Sequence, residues 1–184
     1  MLLLVVGAGL SEIEYCSDIL FCITNNTING DVNVNGTLFA DGVYGGMWYH
    51  NHTVASLTLI DGVYQQLFMT NATHMHGFSG GYGYEVPSNL TAEYNGSYNI
   101  NYYSVGSGQN NHVYRLTVFI NEIIKYNCET HYKMAAGGDE ITMSGNCLLD
   151  IVAGENISLR IMDNTGDSTG SYFGSNLVVT RVGK

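Results

Sequence analysis

Along most of this chain, apolar and polar residues alternate with the period of a β-strand. Ile157, Leu159 and Ile161 alternate with Ser158, Arg160 and Met162, which predicts a half-buried strand. The run before it, Cys147–Val152, is apolar with one interruption, and Ala153-Gly154-Glu155-Asn156 has the composition of a turn. Leu177–Val182 reads as a closing strand, expected in mid-sheet because an exposed terminal edge invites aggregation. The intervening Asp163–Ser175, rich in Gly, Ser, Thr and Asn, reads as a loop.

The preceding hundred or so residues carry the same period. Val113–Ile120 predicts a long strand ending at Asn121-Glu122. Within Leu90–Val105, Tyr98, Ile100 and Tyr102 point one way and Asn99, Asn101 and Tyr103 the other. Met47–Leu59 is expected as a first strand pair, Val63–Thr70 as a strand after the Asp61-Gly62 turn, and His74–Tyr84 as a loop. No stretch combines a sustained 3.6-residue period with good helix formers, so the chain reads as all-β.

The N-terminal part differs. Ile28, Val32, Val34 and Leu38 share one parity against Asn29, Asp31, Asn33, Asn35 and Thr37, giving a strand with one apolar edge that cannot cover itself. Ala40–Gly46 reads as a glycine-rich hinge, dividing an arm (1–46) from a head (47–184). Met1–Leu10 is apolar, too short to span a bilayer, and has no preceding basic residues. Leu2, Leu3, Leu4, Val5 and Val6 are therefore expected either to dock on a partner or to form a buried first strand.

The order of motifs in the head resembles the tumour necrosis factor and complement globular-head superfamily of trimeric jelly rolls. Leu148–Leu159 matches its leucine-strand, Gly-acidic turn and alternating-strand signature, with Glu155 where Asp is usual. Gly96-Ser-Tyr-Asn-Ile100 matches the strand that carries core aromatics, and Asn176–Val182 the final strand. Val118-Phe-Ile-Asn-Glu122 matches a strand-turn, with Glu122 where Gly is expected. Ile28–Leu38 is similar to the connecting stalks of phage fibre proteins.

These resemblances imply a jelly-roll β-sandwich head that forms a homotrimer above a short β arm. They further imply a virion structural protein, a bacteriophage capsid decoration or head-fibre protein whose arm binds capsid or other virion proteins at the particle surface. The alternatives are the receptor- or glycan-binding tip of a tail fibre, and a secreted cytokine-like or complement-like ligand. A tip would use the aromatic loop with Phe78, Tyr82 and Tyr84, and the segment 163–175.

Charge narrows the partners. Six basic against sixteen acidic residues give a net charge of −10, without a basic cluster to track phosphates or bind anionic membranes. His50 with His52, and His74 with His76, stand at the i, i+2 spacing that puts two imidazoles on one strand face; repeated around a three-fold axis, one pair forms a metal site. Surface or interface histidines are the plainer reading, and no cofactor is otherwise expected. Neither G-x-S-x-G nor a phosphate-cradling loop occurs, so the chain is expected not to be an enzyme.

Cys128 and Cys147 fall in neighbouring predicted strands, yet with one plausible pair the four cysteines are expected to be reduced, buried thiols. Seven N-x-S/T sequons, at Asn25, Asn35, Asn51, Asn71, Asn89, Asn95 and Asn156, exceed the roughly three that composition gives. An Asn/Thr-rich turn vocabulary is the favoured explanation, and glycosylation the other.

Overall fold

Contacts divide the chain into two compact units, Met1–Ala40 and Asp41–Lys184. The computed structural model describes residues 14–16, 20–22, 44–81, 83, 88–135 and 140–183. In the first unit, β1 (Glu14–Cys16) pairs antiparallel with β2 (Leu20–Cys22). The stalk pattern Ile28–Leu38 and the apolar Leu2–Val6 lie outside the described residues.

The second unit holds two antiparallel sheets. Its strands are β3 (Tyr44–Leu59), β4 (Gln65–Gln66), β5 (Asn71–His76), β6 (Phe78–Gly81), β7 (Asn89–Ala92) and β8 (Gly96–Ser107). They continue with β9 (Val113–Ile120), β10 (Ile123–Ile124), β11 (Thr130–Lys133), β12 (Glu140–Ile151), β13 (Asn156–Asp163) and β14 (Ser168–Gly183). The five-stranded sheet has the order β12-β8-β14-β3-β5. In the seven-stranded sheet the order is β10-β9-β13-β7-β6, with β11 on β9 and β4 on β13. The closing strand β14 lies centrally, as its apolar composition predicts.

Alternation builds the core between the sheets. From the five-stranded sheet, Tyr98, Ile100, Tyr102, Met143, Leu177 and Val179 point inward; from the other come Leu90, Leu116, Val118, Ile120, Ile157, Leu159 and Ile161, all buried. Burying one Leu or Ile side chain contributes about 2 kcal/mol, so this shared core decides the fold. The tyrosines enter it because their hydroxyls find carbonyls: Tyr98 donates to Tyr94 O at 2.6 Å, and Tyr102 donates to Cys128 O.

Several expectations need correction. Asp163–Ser175 is not a loop: β13 runs to Asp163, and β14 begins at Ser168 and pairs with both β3 and β8. Backbone pairing on two sides overrides the weak strand propensity of Ser, Thr and Gly there. Met47–Leu59 is part of one sixteen-residue strand, which takes in Gly45 and Gly46 of the expected hinge. In Val63–Thr70 only Gln65–Gln66 is strand, whereas His74–Gly81 is almost wholly strand.

Cys128 and Cys147 are not free thiols; they form a disulfide with a Cα–Cα separation of 5.2 Å. Cys128 closes a 3₁₀ turn (Tyr126–Cys128) just before β11, and Cys147 sits at an inward position of β12. The bond therefore ties the seven-stranded side to the five-stranded side. Closing a loop of this length stabilises the fold by about 3 kcal/mol.

The Asn121-Glu122 turn joins β9 to β10 with Ile120 opposite Ile123. Both residues have positive φ, 48° and 66°, as a two-residue primed turn requires. A glutamate there costs about 1 kcal/mol relative to glycine. The turn persists because the Asn121 side chain accepts the Asn156 N–H at 2.9 Å and Arg160 reaches the Glu122 carboxylate.

Candidate functional site

The outward positions of the five-stranded sheet form a face with unusual chemistry. Register aligns them in rows across β12, β8 and β14: Leu148–Asn99–Thr180, Asn146–Asn101–Val178, and Ser144–Tyr103–Asn176. Leu148 is 61% exposed, Tyr103 39% and Val178 36%. The remaining members of the rows are amides and hydroxyls. None of the nine is charged, although the chain has 16 acidic residues. Charges on β12 occur only towards its ends: Glu140 opposite Ser107, and Asp150, which accepts from Ser97 Oγ at 2.6 Å.

A shallow depression of about 440 Å³ lies in the middle of these rows, lined by Asn101, Tyr103, Ser144, Asn146, Asn176 and Val178 around Gly145. Glycine is required at its floor, because an added Cβ would collide with the Tyr102 hydroxyl beneath. Burial and then the Glu129 charge push that hydroxyl from 10.0 up to about 12.

The outward side of the seven-stranded sheet is charged and internally paired. Arg115 Nη1 lies 3.3 Å from Glu129 Oε1, and Tyr64 and His131 also reach this carboxylate. Burial pushes the Glu129 carboxyl up, but the Tyr64 and His131 hydrogen bonds and the His131 and Arg115 charges outweigh it and hold it below its ordinary value. Burial and the same carboxylate push the Tyr64 hydroxyl well up. Arg160 covers the Phe119 ring at 4.5 Å, and Tyr64 meets that ring edge-on at 5.2 Å.

A third polar group links the end of β13 to the residue before β9 and the start of β14. The Asp163 carboxylate is fully buried, lies 2.6 Å from His112 Nδ1, and accepts from Ser168 Oγ. Here the carboxylate stands between imidazole and hydroxyl. A nucleophilic relay needs the imidazole between them, so this arrangement ties strands together instead of activating Ser168.

The residues singled out from the sequence scatter. His50 and His52 belong to β3 and His74 and His76 to β5, but Tyr44 is the residue opposite His76. At about 3.3 Å per residue, His50 lies roughly 20 Å further along. Within one chain the two pairs are therefore separate. The side chains of His50, His52 and His74 lie outside the described residues, and His76 is exposed. Among the described residues, no group of three or more His, Cys, Asp or Glu is placed to hold a metal ion. Phe78, expected at a ligand-binding loop, is instead 3% exposed and packs edge-on against Tyr98 at 5.7 Å, so it is a core residue. Tyr82 and Tyr84 lie outside the described residues.

No family model matches this chain, and no curated protein does. Among solved structures it is similar to Eiger TNF from S. frugiperda, with a TM-score of 0.56 at 8% identity, covering 78% of this chain and 94% of that one. The second unit is a jelly-roll β-sandwich of the TNF type. The likeness read from motif order in the sequence thus holds at the level of fold.

Proposed function

We propose that this chain is a non-enzymatic homotrimeric head displayed on a viral particle, as a capsid decoration or head-fibre protein. The uncharged face of β8, β12 and β14 is the contact between copies. The observation that carries this reading is the charge distribution. Copies that each carry −10 repel one another, and only a surface without carboxylates allows close approach. Interface centres are depleted in charge, which describes all nine residues of these rows, and Tyr103 supplies an aromatic at their edge. Attachment to the particle falls to the arm, where Leu2–Val6 suits docking on virion proteins and the Ile28–Leu38 pattern suits a stalk that pairs with its copies.

One observation fits a second reading, a secreted cytokine-like ligand, equally well. The Cys128–Cys147 disulfide suits an oxidising environment, which virion surfaces and secreted proteins share. Native mass tests the common core of both. The full chain is expected at three times 20.1 kDa, with residues 41–184 alone also trimeric. Monomers of both at micromolar concentration would overturn the trimer. Cosedimentation of the full chain with capsids, lost on deleting residues 1–40, separates the virion protein from the secreted ligand.

A further inference from the structure

The sequons are distributed unevenly in the fold. The four asparagines of the uncharged face, Asn99, Asn101, Asn146 and Asn176, all lack the N-x-S/T context. Asn95 and Asn156 have it, and both lie at one end of the sandwich. Asn95 immediately precedes β8, and Asn156 opens β13 after the Val152–Glu155 turn. Both are exposed.

Each uses its side-chain oxygen and leaves its nitrogen without a partner among the described residues. Asn95 Oδ1 accepts the Ala153 N–H at 2.8 Å, which forces Nδ2 to the other side, away from that turn. Asn156 Oδ1 lies 2.6 Å from Thr91 Oγ1, the donor of that bond. A third sequon residue, Asn89, follows the same pattern, with Oδ1 taking the Gly81 N–H at 3.1 Å. It is half-buried and lines a polar cavity of about 310 Å³ with Asn156, Gln66 and Asn121. Asn71 differs, because its Nδ2 donates to Thr70 Oγ1 at 3.0 Å.

We infer that Asn95 and Asn156 are N-glycosylation sites whose glycans leave this end of the sandwich and keep the uncharged face clear. In the reaction, Nδ2 attacks the anomeric carbon of an oligosaccharide carried on a lipid pyrophosphate. A C–N bond forms, the C–O bond to pyrophosphate breaks, Nδ2 loses a proton, and the lipid pyrophosphate leaves. The disulfide suits an oxidising compartment such as the one in which this donor and its transferase operate in eukaryotic cells, so these sites rest on passage through that compartment and not on attachment to a capsid. The fold accommodates the product: both oxygens keep their hydrogen bonds after Nδ2 is substituted.

The test is to translate the full chain, behind a cleavable leader, into eukaryotic microsomes and into secreting cells. Peptide mass mapping follows amidase release of glycans in heavy-oxygen water. Expected is label at Asn95 and Asn156, lost singly in Ser97→Ala and Asn156→Gln. A translocated, disulfide-bonded chain with neither asparagine labelled overturns the inference. The microsome arm gives this answer even if secretion fails. Native mass of the glycosylated chain is a separate readout: label without trimers would overturn the oligomer reading and leave these sites standing.

Discussion

The two sheets of the sandwich present opposite chemistry to the outside. On the seven-stranded sheet, Arg115 and His131 pair with Glu129, Arg160 pairs with Glu122, and Phe119 is covered by Arg160. On the five-stranded sheet, the same strand alternation exposes Tyr103, Val178 and Leu148 among uncharged amides. Both sheets have equivalent inner faces, so packing within the chain does not explain the difference. A face that satisfies its own charges suits permanent contact with water. A face with unpaired amides, a tyrosine and aliphatic side chains has more to gain from being covered.

The comparison is broken most strongly by placing a charge on the uncharged side. Val178→Asp is expected to cost about 4 kcal/mol at each subunit contact, because a desolvated carboxylate finds no partner there. Sedimentation equilibrium should show monomers with unchanged circular dichroism. Next in size is the tie between the two sheets. Replacing Cys128 and Cys147 together by alanine should remove about 3 kcal/mol from unfolding free energy in urea, with the fold retained.

Glu129→Gln breaks the charged face and should cost about 2 kcal/mol, since Arg115 loses its counter-charge. The sign with pH follows from the lowered carboxyl. Its stabilisation is fully present above the ordinary value of 4.5 and is lost as pH falls through the lower folded value. Acid denaturation of the Gln variant should lose that part of its pH slope. In alkali the sign reverses: the raised Tyr102 hydroxyl stabilises below pH 10, and this is lost as pH rises through about 12. The smallest effect sharpens the picture. Glu122→Gly relieves positive φ at the β9–β10 turn and should stabilise by about 0.5 kcal/mol after loss of the exposed Arg160 contact.

Much of this was legible in the chain. Tyr98, Ile100 and Tyr102 against Asn99, Asn101 and Tyr103 already separate an inner from an outer face, because a strand's period is two. Val113–Ile120 and the alternation of Ile157–Ile161 likewise place their strands. What was hidden depends on partners far away in sequence. Ser168–Ser175 looks like a loop until β3 and β8 flank it. Phe78 looks like a binding aromatic until Tyr98 is seen beside it. The Glu129 cluster joins residues from 64 to 131, and Asp163 meets His112 across 51 positions. Only the register of β11 on β9, which sets His131 opposite Arg115, brings the first of these together.

The central claim is that the uncharged face is covered and the charged one is not. Tyr103 and His131 test it without mutation, since Tyr103 is 39% exposed and the His131 side chain 50% in the single chain, and they stand on the outward sides of opposite sheets. Hydroxyl-radical footprinting of the full-length protein at micromolar concentration would compare their oxidation rates, each relative to its free amino acid. Strong protection of Tyr103 is expected, with His131 labelled as its exposure dictates. Labelling of both in proportion to their exposure would contradict a covered uncharged face.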